Sequence, residues 1–148
     1  MTPEFSSNAG CTFDLLSPTD AQCLSERIVE FNSSRVPFTQ PAPFTPIAYG
    51  FKNDRGDVLG GITATVYCWR VLCIDVLWVN EEYRGKGLGS KLLEAVENEA
   101  RRMGCALAHL DTFDFQAKRF YLKHGYEIFG ELGDCPPGHK RFFFKKVI

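Results

Sequence analysis

The apolar residues of this chain recur with two different periods, and these periods predict its helices and strands. From Leu88 to Met103 they follow one another at three- and four-residue spacing, which predicts an amphipathic helix closed by Gly104. The run Val71–Val79 is apolar throughout except for Asp75, which predicts a central strand covered on both faces. The middle of the chain is therefore predicted as a strand, a short polar connection and a helix.

Shorter apolar patterns, bounded by proline, glycine and polar residues, predict the other elements. Further strands are predicted at Thr12–Leu16, Ile47–Lys52, Val58–Trp69, Ala106–Thr112, Tyr126–Leu132 and Arg141–Val147, and further helices at Asp20–Asn32 and Gln116–His124. Four prolines between Val36 and Pro46 predict a loop there. The order is β-α-β-β-β-α-β-α-β-β, which predicts an α+β fold with a mixed, mostly antiparallel central sheet flanked by helices.

Composition and charge narrow the class of protein. Of the 148 residues, 45% are hydrophobic and 24% charged, so we expect a single domain over residues 1–148, with Met1–Gly10 as a flexible segment. The 17 basic and 18 acidic residues form no basic tract, which disfavours nucleic acid as a partner. No run is apolar enough for a membrane span or a signal peptide. Six cysteines without metal-binding spacing favour a cytoplasmic protein with reduced thiols and no metal.

The connection between the predicted strand and helix reads Arg84-Gly-Lys-Gly-Leu-Gly89, with three glycines at alternate positions. Bare backbone N–H groups at the start of a helix, together with the helix dipole, form an anion site that suits a diphosphate. The spacing does not match a Walker A loop, and it is one residue short of the dinucleotide fingerprint G-x-G-x-x-G. A glycine-rich turn without a ligand is the alternative interpretation.

The string from Val79 through Tyr83 to Gly89, followed by the Leu92-Leu93 helix, resembles the pyrophosphate loop of the GNAT superfamily of N-acetyltransferases, in its small single-domain bacterial form. That loop reads Arg/Gln-x-x-Gly-x-Gly/Ala, and the order of predicted elements extends the resemblance to nearly the whole chain. The resemblance implies a sheet that splays apart between the fourth strand, Val71–Val79, and the fifth, Ala106–Thr112. It also implies a family helix near Val36–Pro46, which the prolines disfavour; we expect a loop at the mouth of the active site.

The resemblance implies acetyl-CoA as cosubstrate and assigns its binding residues. The pantetheine arm would follow the edge of the fourth strand, and the loop amides would hold the pyrophosphate. Asp114 stands where the family often has a cofactor-binding Asn, and Gln116 could supply the amide donor that Asp lacks. The predicted cofactor-binding residues are Leu77, Trp78, Val79, Arg84, Gly85, Lys86, Gly87, Leu88, Gly89, Ser90, Asp114 and Gln116.

A second signature, Phe120-Tyr121-x-x-x-Gly-Tyr126, resembles the family's final motif. There the tyrosine protonates the departing CoA thiolate, so the resemblance assigns Tyr121 as general acid. Asp75 is the charged residue of the fourth strand and, by strand parity, should share a face with Cys73, Leu77 and Val79. We expect Asp75 to act as a base or a substrate anchor, with His109 or a water chain as alternatives. No covalent nucleophile pattern is visible, which favours direct attack in a ternary complex.

The resemblance implies that the acceptor is a primary amine of a small molecule or a peptide. The segments that differ most among members of the family would contact the acceptor. In this chain they contain aromatic residues, which favours a small apolar or aromatic amine; these residues are Phe38, Phe44, Tyr67 and Trp69. Two other functions stay open, a non-catalytic acyl-CoA-binding or sensor module on the same fold and a nucleotide-binding protein. The terminal strands could also pair across a homodimer.

Overall fold

A computed structural model describes residues 10–148 of the chain. The predicted flexible segment Met1–Gly10 lies, apart from Gly10, outside the described residues. The chain divides into two compact units, Met1–Pro37 and Phe38–Ile148. A single domain over residues 1–148 stays a prediction.

The described part of the first unit contains one helix, α1, at Pro18–Arg35. The sequence predicted this helix at Asp20–Asn32, which is too short at both ends. Ser17 is the N-cap: its hydroxyl accepts the Asp20 N–H at 3.1 Å, while the Asp20 carboxylate accepts the Ser17 N–H at 3.3 Å. This capping box places the start of the helix at Pro18, where a missing N–H costs no hydrogen bond.

The predicted strand Thr12–Leu16 is wrong. Residues 11–17 have no regular secondary structure, and Phe13, Leu15 and Leu16 are exposed. A strand is stable only where a neighbouring strand satisfies its backbone groups, and this segment enters no sheet. Its short alternating pattern could not reveal that the partner is absent.

The second unit is built on a six-stranded sheet in the order β1-β2-β3-β4-β6-β5. The strands are β1 Phe44–Lys52, β2 Val58–Tyr67, β3 Val71–Val79, β4 Leu107–Phe113, β5 Glu127–Gly133 and β6 Lys140–Val147, and the helices are α2 Leu88–Arg102 and α3 Lys118–Lys123. Only β3 and β4 pair in parallel among these strands, which confirms the predicted mixed, mostly antiparallel sheet. Pro46 lies inside β1, an edge strand, where a missing N–H is tolerated. No helix forms between Val36 and Pro46, as the prolines predicted.

The core lies between α2 and one face of the sheet. The buried side of α2 consists of Leu92, Leu93, Val96 and Ala100, together with Glu97. It packs on residues that recur at alternate positions of the strands: Ile62, Ala64, Val66, Leu72, Ile74, Ala108, Leu110, Phe142 and Phe144. Gly104, with φ of 84°, follows the last turn, as predicted for a helix ending in a left-handed glycine.

The sheet opens between β3 and β4, which confirms the predicted splay. The two strands pair only where Val71, Leu72 and Cys73 face Leu107, Ala108 and His109. Beyond Cys73, β3 continues to Val79 beside β2 but without β4. The far half of β3 therefore has one unpaired edge, and Val76 and Trp78 are exposed, contrary to the prediction that this strand is covered on both faces.

A β-bulge at Asp75 changes which residues of β3 share a face. Thr63 pairs with Val76 and Ala64 with Ile74, so Asp75 is the extra residue between them. Leu77 and Val79 consequently pack on the core. The prediction that Asp75 shares a face with Leu77 and Val79 is therefore wrong, because alternation does not continue across a bulge.

Candidate active site

The glycine loop begins where β3 ends and is ordered by its own side chains. A short 3-10 turn, Glu81–Tyr83, follows β3, and the Asn80 side chain caps it. The Arg84 Nε donates to the carbonyl oxygen of Val79 at 2.9 Å, and the Lys86 ammonium lies 5.2 Å from the centre of the Tyr83 ring. The Arg84 side chain thus ties the start of the loop to the end of β3. It makes no contact that would occupy the backbone N–H groups that follow it.

Gly85 and Gly87 adopt backbone conformations that side chains disfavour. Their φ angles are 74° and 80°, and an added Cβ would meet no atom of the protein within 4 Å at either position. Gly87 is the N-cap of α2 and supplies no capping side chain. The first-turn N–H groups of Leu88–Ser90 therefore lack helix partners and border open space. This arrangement suits a pyrophosphate, because the phosphates can approach the backbone closely.

Gly89 lies beside the helix that carries Tyr121. An added Cβ would lie 3.4 Å from the Phe120 ring, an ordinary contact distance, so α3 packs against the first turn of α2 at this glycine. The sequence had explained this glycine by phosphate access. The structure shows that Gly89 also lies at the contact between the glycine loop and α3, the helix that carries Tyr121.

Tyr121 is the buried aromatic residue of α3. Its ring packs against Tyr126 and Phe144 at centroid distances of 5.8 Å, and the residue is 5% exposed. Its hydroxyl makes no hydrogen bond within residues 10–148. Since no fully buried side-chain oxygen or nitrogen there lacks a partner, this hydroxyl reaches accessible space. Burial, and secondarily Asp111, raise the pKa of Tyr121 to about 12, so the group keeps its proton at neutral pH and can donate it.

Asp75 is exposed, and its carboxylate accepts a hydrogen bond from the Thr65 hydroxyl at 3.0 Å. No cationic side chain of the described residues forms an ion pair with it. The bulge places this carboxylate at the position where β3 leaves β4. An unpaired carboxylate at the fork can hold an ammonium group or accept a proton from it.

His109 is hydrogen-bonded rather than free. Its Nε2 lies 2.7 Å from the Tyr67 hydroxyl, and the two rings meet edge to face. Desolvation lowers the pKa of His109, although Asp111 and Asp75 oppose this, so the imidazole is mostly neutral at pH 7. The sequence did not predict Tyr67 as its partner. Tyr67 pairs with Val71 across the β2–β3 hairpin, and Val71 with Leu107 on β4, so the register of three strands was required.

Asp111 stands beyond the fork on β4 and is paired. The Arg141 Nε donates to its carboxylate at 2.7 Å. The Arg141 guanidinium also lies over the Phe113 and Phe143 rings, at 5.6 and 5.4 Å from their centres. Asp111 and Asp75 thus differ in charge compensation, because only Asp111 has a cationic partner in the described part of the chain.

Cys73 lies opposite His109 in the last pair of β3 and β4. Sequence spacing could not show this approach, since 35 intervening residues separate the two positions. Burial, together with Asp75 and Asp111, raises the pKa of the Cys73 thiol to about 11, which leaves little thiolate at neutral pH. His109 uses its Nε2 for Tyr67. The pair therefore does not resemble an activated cysteine nucleophile.

Asp114 and Gln116 follow β4, and their roles differ. Both carboxylate oxygens of Asp114 are engaged by the last hairpin, one with His139 Nδ1 at 2.9 Å and one with the Lys140 N–H at 3.0 Å. The Gln116 Oε1 accepts the Phe113 N–H at 2.9 Å and the Thr112 hydroxyl at 3.0 Å, which leaves its NH2 group as an exposed donor. Gln116 is thus better placed than Asp114 to supply a cofactor contact.

Among residues 10–148, no three histidine, cysteine or acidic side chains lie together as metal ligands do. No helix in that range is long and apolar enough to cross a bilayer. The six cysteines are free thiols; Cys68 and Cys105 are buried, whereas Cys11 and Cys23 are exposed and do not act as core residues.

Comparison with known proteins agrees with this geometry. The acetyltransferase (GNAT) family model matches residues 14–126. Blasticidin-S acetyltransferase of Streptomyces morookaense is 38% identical over 105 residues, which cover 70% of this chain and 76% of that protein. Spermine/spermidine N(1)-acetyltransferase of Bacillus subtilis (strain 168) is 36% identical over 62 residues, 40% of this chain and 41% of that one.

The fold has a close counterpart among solved structures. The crystal structure of an acetyltransferase from Bacillus cereus ATCC 14579 superposes with a TM-score of 0.86 at 36% identity, covering 93% of this chain and 98% of the other. The family match, the splayed sheet and the glycine loop therefore lead to one conclusion. The chain belongs to the acetyltransferase (GNAT) family, and its enzymatic activity is that of an N-acetyltransferase.

Proposed function

We propose that this protein transfers the acetyl group of acetyl-CoA to a primary amine of a small molecule, by direct attack in a ternary complex. The observation that carries the proposal is the contact between the anion loop and the helix of the general acid. Gly89, at the start of α2, lies against Phe120, the neighbour of Tyr121. The pantetheine arm separates the sulfur of acetyl-CoA from its pyrophosphate. An arm that starts at this loop and follows the unpaired edge of β3 would bring the sulfur to the opening between β3 and β4, and Tyr121 lies near enough to Asp111 of β4 to be influenced by its charge.

On the donor side, the backbone does most of the binding. Amides from Gly85 to Ser90 would hold the pyrophosphate, and Arg84 would keep the loop in place through Val79. The unpaired edge at Leu77–Val79 would hydrogen-bond the pantetheine arm as an added strand, and one of its N–H groups would polarise the thioester carbonyl. The exposed NH2 of Gln116 would add a further donor.

On the reaction side, each step has a group suited to it. The neutral amine attacks the thioester carbonyl carbon, the new C–N bond forms, and the C–S bond breaks. The Tyr121 hydroxyl gives its proton to the departing thiolate, and the second proton, which the nitrogen loses as it becomes an amide, passes through water and restores the Tyr121 hydroxyl. The proton lost by the ammonium passes to Asp75, directly or through water; the neutral His109 with Tyr67 is the alternative route. The high pKa of the Cys73 thiol supports direct attack over an acyl-enzyme.

The acceptor class rests on relatives and on charge. The relatives named above are acetyltransferases of blasticidin-S and of spermine or spermidine. An acceptor amine reaches its enzyme as an ammonium ion, and the unpaired Asp75 carboxylate would attract it. Near the fork, exposed Val76 and Trp78 would contact an apolar part of the acceptor. We therefore propose a small molecule over a peptide.

Two further expectations belong to the proposal. Free thiols at six positions suit a reducing compartment, so we expect the protein to act in the cytoplasm. The β5 strand pairs with β6 on one side and forms an edge of the sheet, which could support a homodimer. Light scattering of the purified protein would give its mass in solution.

The function is tested by measuring thiol release from acetyl-CoA over a panel of amines that includes spermine, spermidine, blasticidin S and aromatic amines. We expect turnover with at least one small amine and confirmation of the N-acetyl product by mass spectrometry. Calorimetry with acetyl-CoA and ATP should show a preference for acetyl-CoA. Tight CoA binding without turnover on any amine would instead support the sensor module, and preference for ATP would contradict both interpretations.

A further inference from the structure

His124 connects the helix of Tyr121 to the first turn of α2. Its Nδ1 lies 2.7 Å from the carbonyl oxygen of Phe120, and its Nε2 lies 2.9 Å from the Ser90 hydroxyl. The imidazole also packs on the Phe120 ring, with centroids 4.3 Å apart. The sequence suggested no partner for this histidine, which it placed at a helix end.

These two contacts determine where the imidazole carries its protons. A carbonyl oxygen only accepts hydrogen bonds, so Nδ1 carries a proton in both charge states. In the neutral ring, Nε2 is an acceptor, and the Ser90 O–H must point at it. In the protonated ring, Nε2 donates to the Ser90 oxygen, and the hydroxyl proton is free to turn towards another acceptor.

Ser90 lies where that difference matters. It is the third residue of α2, after Leu88 and Gly89, in the turn whose N–H groups border the glycine loop. With neutral His124, Ser90 can present only oxygen lone pairs to an anion at this turn. With protonated His124, Ser90 presents a hydroxyl donor next to a positive charge. Both features strengthen the binding of a phosphate group.

We propose that His124 is a positioning residue that couples the binding of the CoA pyrophosphate to uptake of a proton, acting through Ser90. This inference rests on the proposed function, because it requires the pyrophosphate to lie at the start of α2. Its consequence is that CoA binds more tightly when His124 is protonated and more weakly when its imidazole is neutral. Tyr121, on the same short helix, is then held in register with the loop when the donor is bound.

Other charged groups face His124 across a cavity of about 320 Å³ between α2, α3 and β6. From α2 these are Glu94, Glu97 and Arg101, from β6 Lys146, and the neighbouring residue on α3 is Lys123. Glu97 is compensated by Lys146 at 2.8 Å and Arg101 at 3.2 Å. Glu94 forms no ion pair in the described part of the chain. The test must therefore exclude Glu94 as the group that takes up a proton when CoA binds.

The test uses dephospho-CoA, because the 3′-phosphate of CoA itself titrates at a pKa of about 6. Its binding to the whole protein is measured by calorimetry at about pH 5.5 and 8, on either side of the ordinary histidine pKa. Two buffers of different ionisation enthalpy give the number of protons taken up. For the wild type we expect net uptake and binding about fivefold tighter at the lower pH.

Three variants assign the effect. His124→Gln and Ser90→Ala should bind with no net uptake and with affinities that differ by less than about twofold between the two pH values. Glu94→Gln should behave as the wild type, since Glu94 lines the same cavity but forms no hydrogen bond with Ser90 or His124. Circular dichroism and thermal unfolding show whether each variant is folded, and the two independent variants keep the test valid if one is not.

Two outcomes separate this inference from the function on which it rests. If the wild type binds and turns over acetyl-CoA but takes up no proton, or if His124→Gln and Ser90→Ala retain the uptake, the coupling is overturned and the acetyltransferase proposal stands. If the wild type binds neither CoA nor dephospho-CoA, the placement of the pyrophosphate fails, and this inference fails with it.

Discussion

The two sides of the cleft are built from different parts of the polypeptide. The proposed donor side is made of backbone: the amides from Gly85 to Ser90 and the unpaired edge of β3 at Leu77–Val79. The proposed acceptor side is made of side chains contributed by several strands, with Asp75 hydrogen-bonded by Thr65 and His109 by Tyr67.

This difference explains what each side can recognise. Backbone amides and the ends of helices bind the part of CoA that is the same in every acyl-CoA, so the donor site needs glycines and correct φ angles more than particular side chains. Side chains determine specificity for the acceptor. Which partners these side chains have, and whether a charged one is compensated, depends here on strand register. Substitutions should therefore affect donor binding through backbone and charge, and acceptor turnover through single functional groups.

The largest effect is expected from a charge placed in the loop. Gly87→Asp should lower CoA affinity at least about 100-fold, because it places a carboxylate where the phosphates lie. The fold should tolerate it, since nothing lies within 4 Å of an added Cβ and aspartate accepts positive φ better than most residues.

Gly87→Asn is the matched control for that substitution. It has the same size and the same tolerance of positive φ but no charge, so its loss of affinity, measured by calorimetry, should be much smaller. If Gly87→Asp binds CoA within about tenfold of the wild type, roughly 1.4 kcal/mol, the pyrophosphate does not lie at this loop.

The second effect concerns the group that joins the two sides. Tyr121→Phe should lower kcat about 100-fold, because the thiolate leaves without a proton donor, while the Kd of CoA stays unchanged. Since the pKa of Tyr121 is raised to about 12, the wild-type kcat should also show no loss from this group as the pH rises to about 10. Steady-state rates over this pH range test both statements.

Tyr126→Phe is the control for Tyr121, because it removes a hydroxyl from a ring 5.8 Å away that bonds Glu97 instead of facing the cleft. It should reduce thermal stability and leave kcat within about threefold. Equal loss of kcat in both variants would mean that packing of α3, and not proton donation, explains the result.

Local signals predicted the strand and helix on either side of the glycine loop well. The helix Leu88–Arg102 and the strand Val71–Val79 were predicted to within one residue, because the apolar pattern is long and glycines mark the helix at both ends. The glycine loop was recognisable for the same reason, since its pattern lies in consecutive residues, and its binding of an anion stays a prediction. Only the second role of Gly89, contact with Phe120, required the tertiary structure.

The acceptor side could not be predicted to the same extent. The bulge at Asp75 exchanges the two faces of the sheet for the later residues of β3. No residue type in that apolar run predicts a bulge. The Tyr67–His109 and Asp111–Arg141 contacts join positions far apart in the chain, and they depend on the register of β2, β4 and β6. The missing strand at Thr12–Leu16 has the same cause, because pairing is decided by partners and not by the strand's own residues.

The third prediction sharpens the acceptor side. Asp75→Asn should lower kcat/KM for the amine about 10- to 100-fold, with CoA affinity unchanged, because the charge is lost while the contact with Thr65 can persist. A loss in kcat would identify a base, and a loss in KM alone would identify an anchor for the ammonium. Steady-state kinetics with both substrates varied separates them.

Thr65→Val is the control for Asp75, since it removes only the hydrogen bond to the carboxylate and should cost less than Asp75→Asn. Retention of kcat/KM within about twofold by Asp75→Asn would exclude this carboxylate. The proton route would then pass through His109 and Tyr67 or through water, which His109→Gln would test in the same assay.

The smallest effect is expected from a side chain on the donor side, and it measures how far that side depends on backbone. Gln116→Ala removes the exposed NH2 donor and should weaken CoA binding about two- to tenfold, the range of one neutral hydrogen bond. Asp114→Asn should instead lower thermal stability without changing CoA affinity, because both Asp114 oxygens serve the last hairpin. Calorimetry of both variants gives their CoA affinity, and thermal unfolding gives their stability. A 100-fold loss in Gln116→Ala would show that the donor side relies on individual side chains as the acceptor side does, and the contrast between them would not hold.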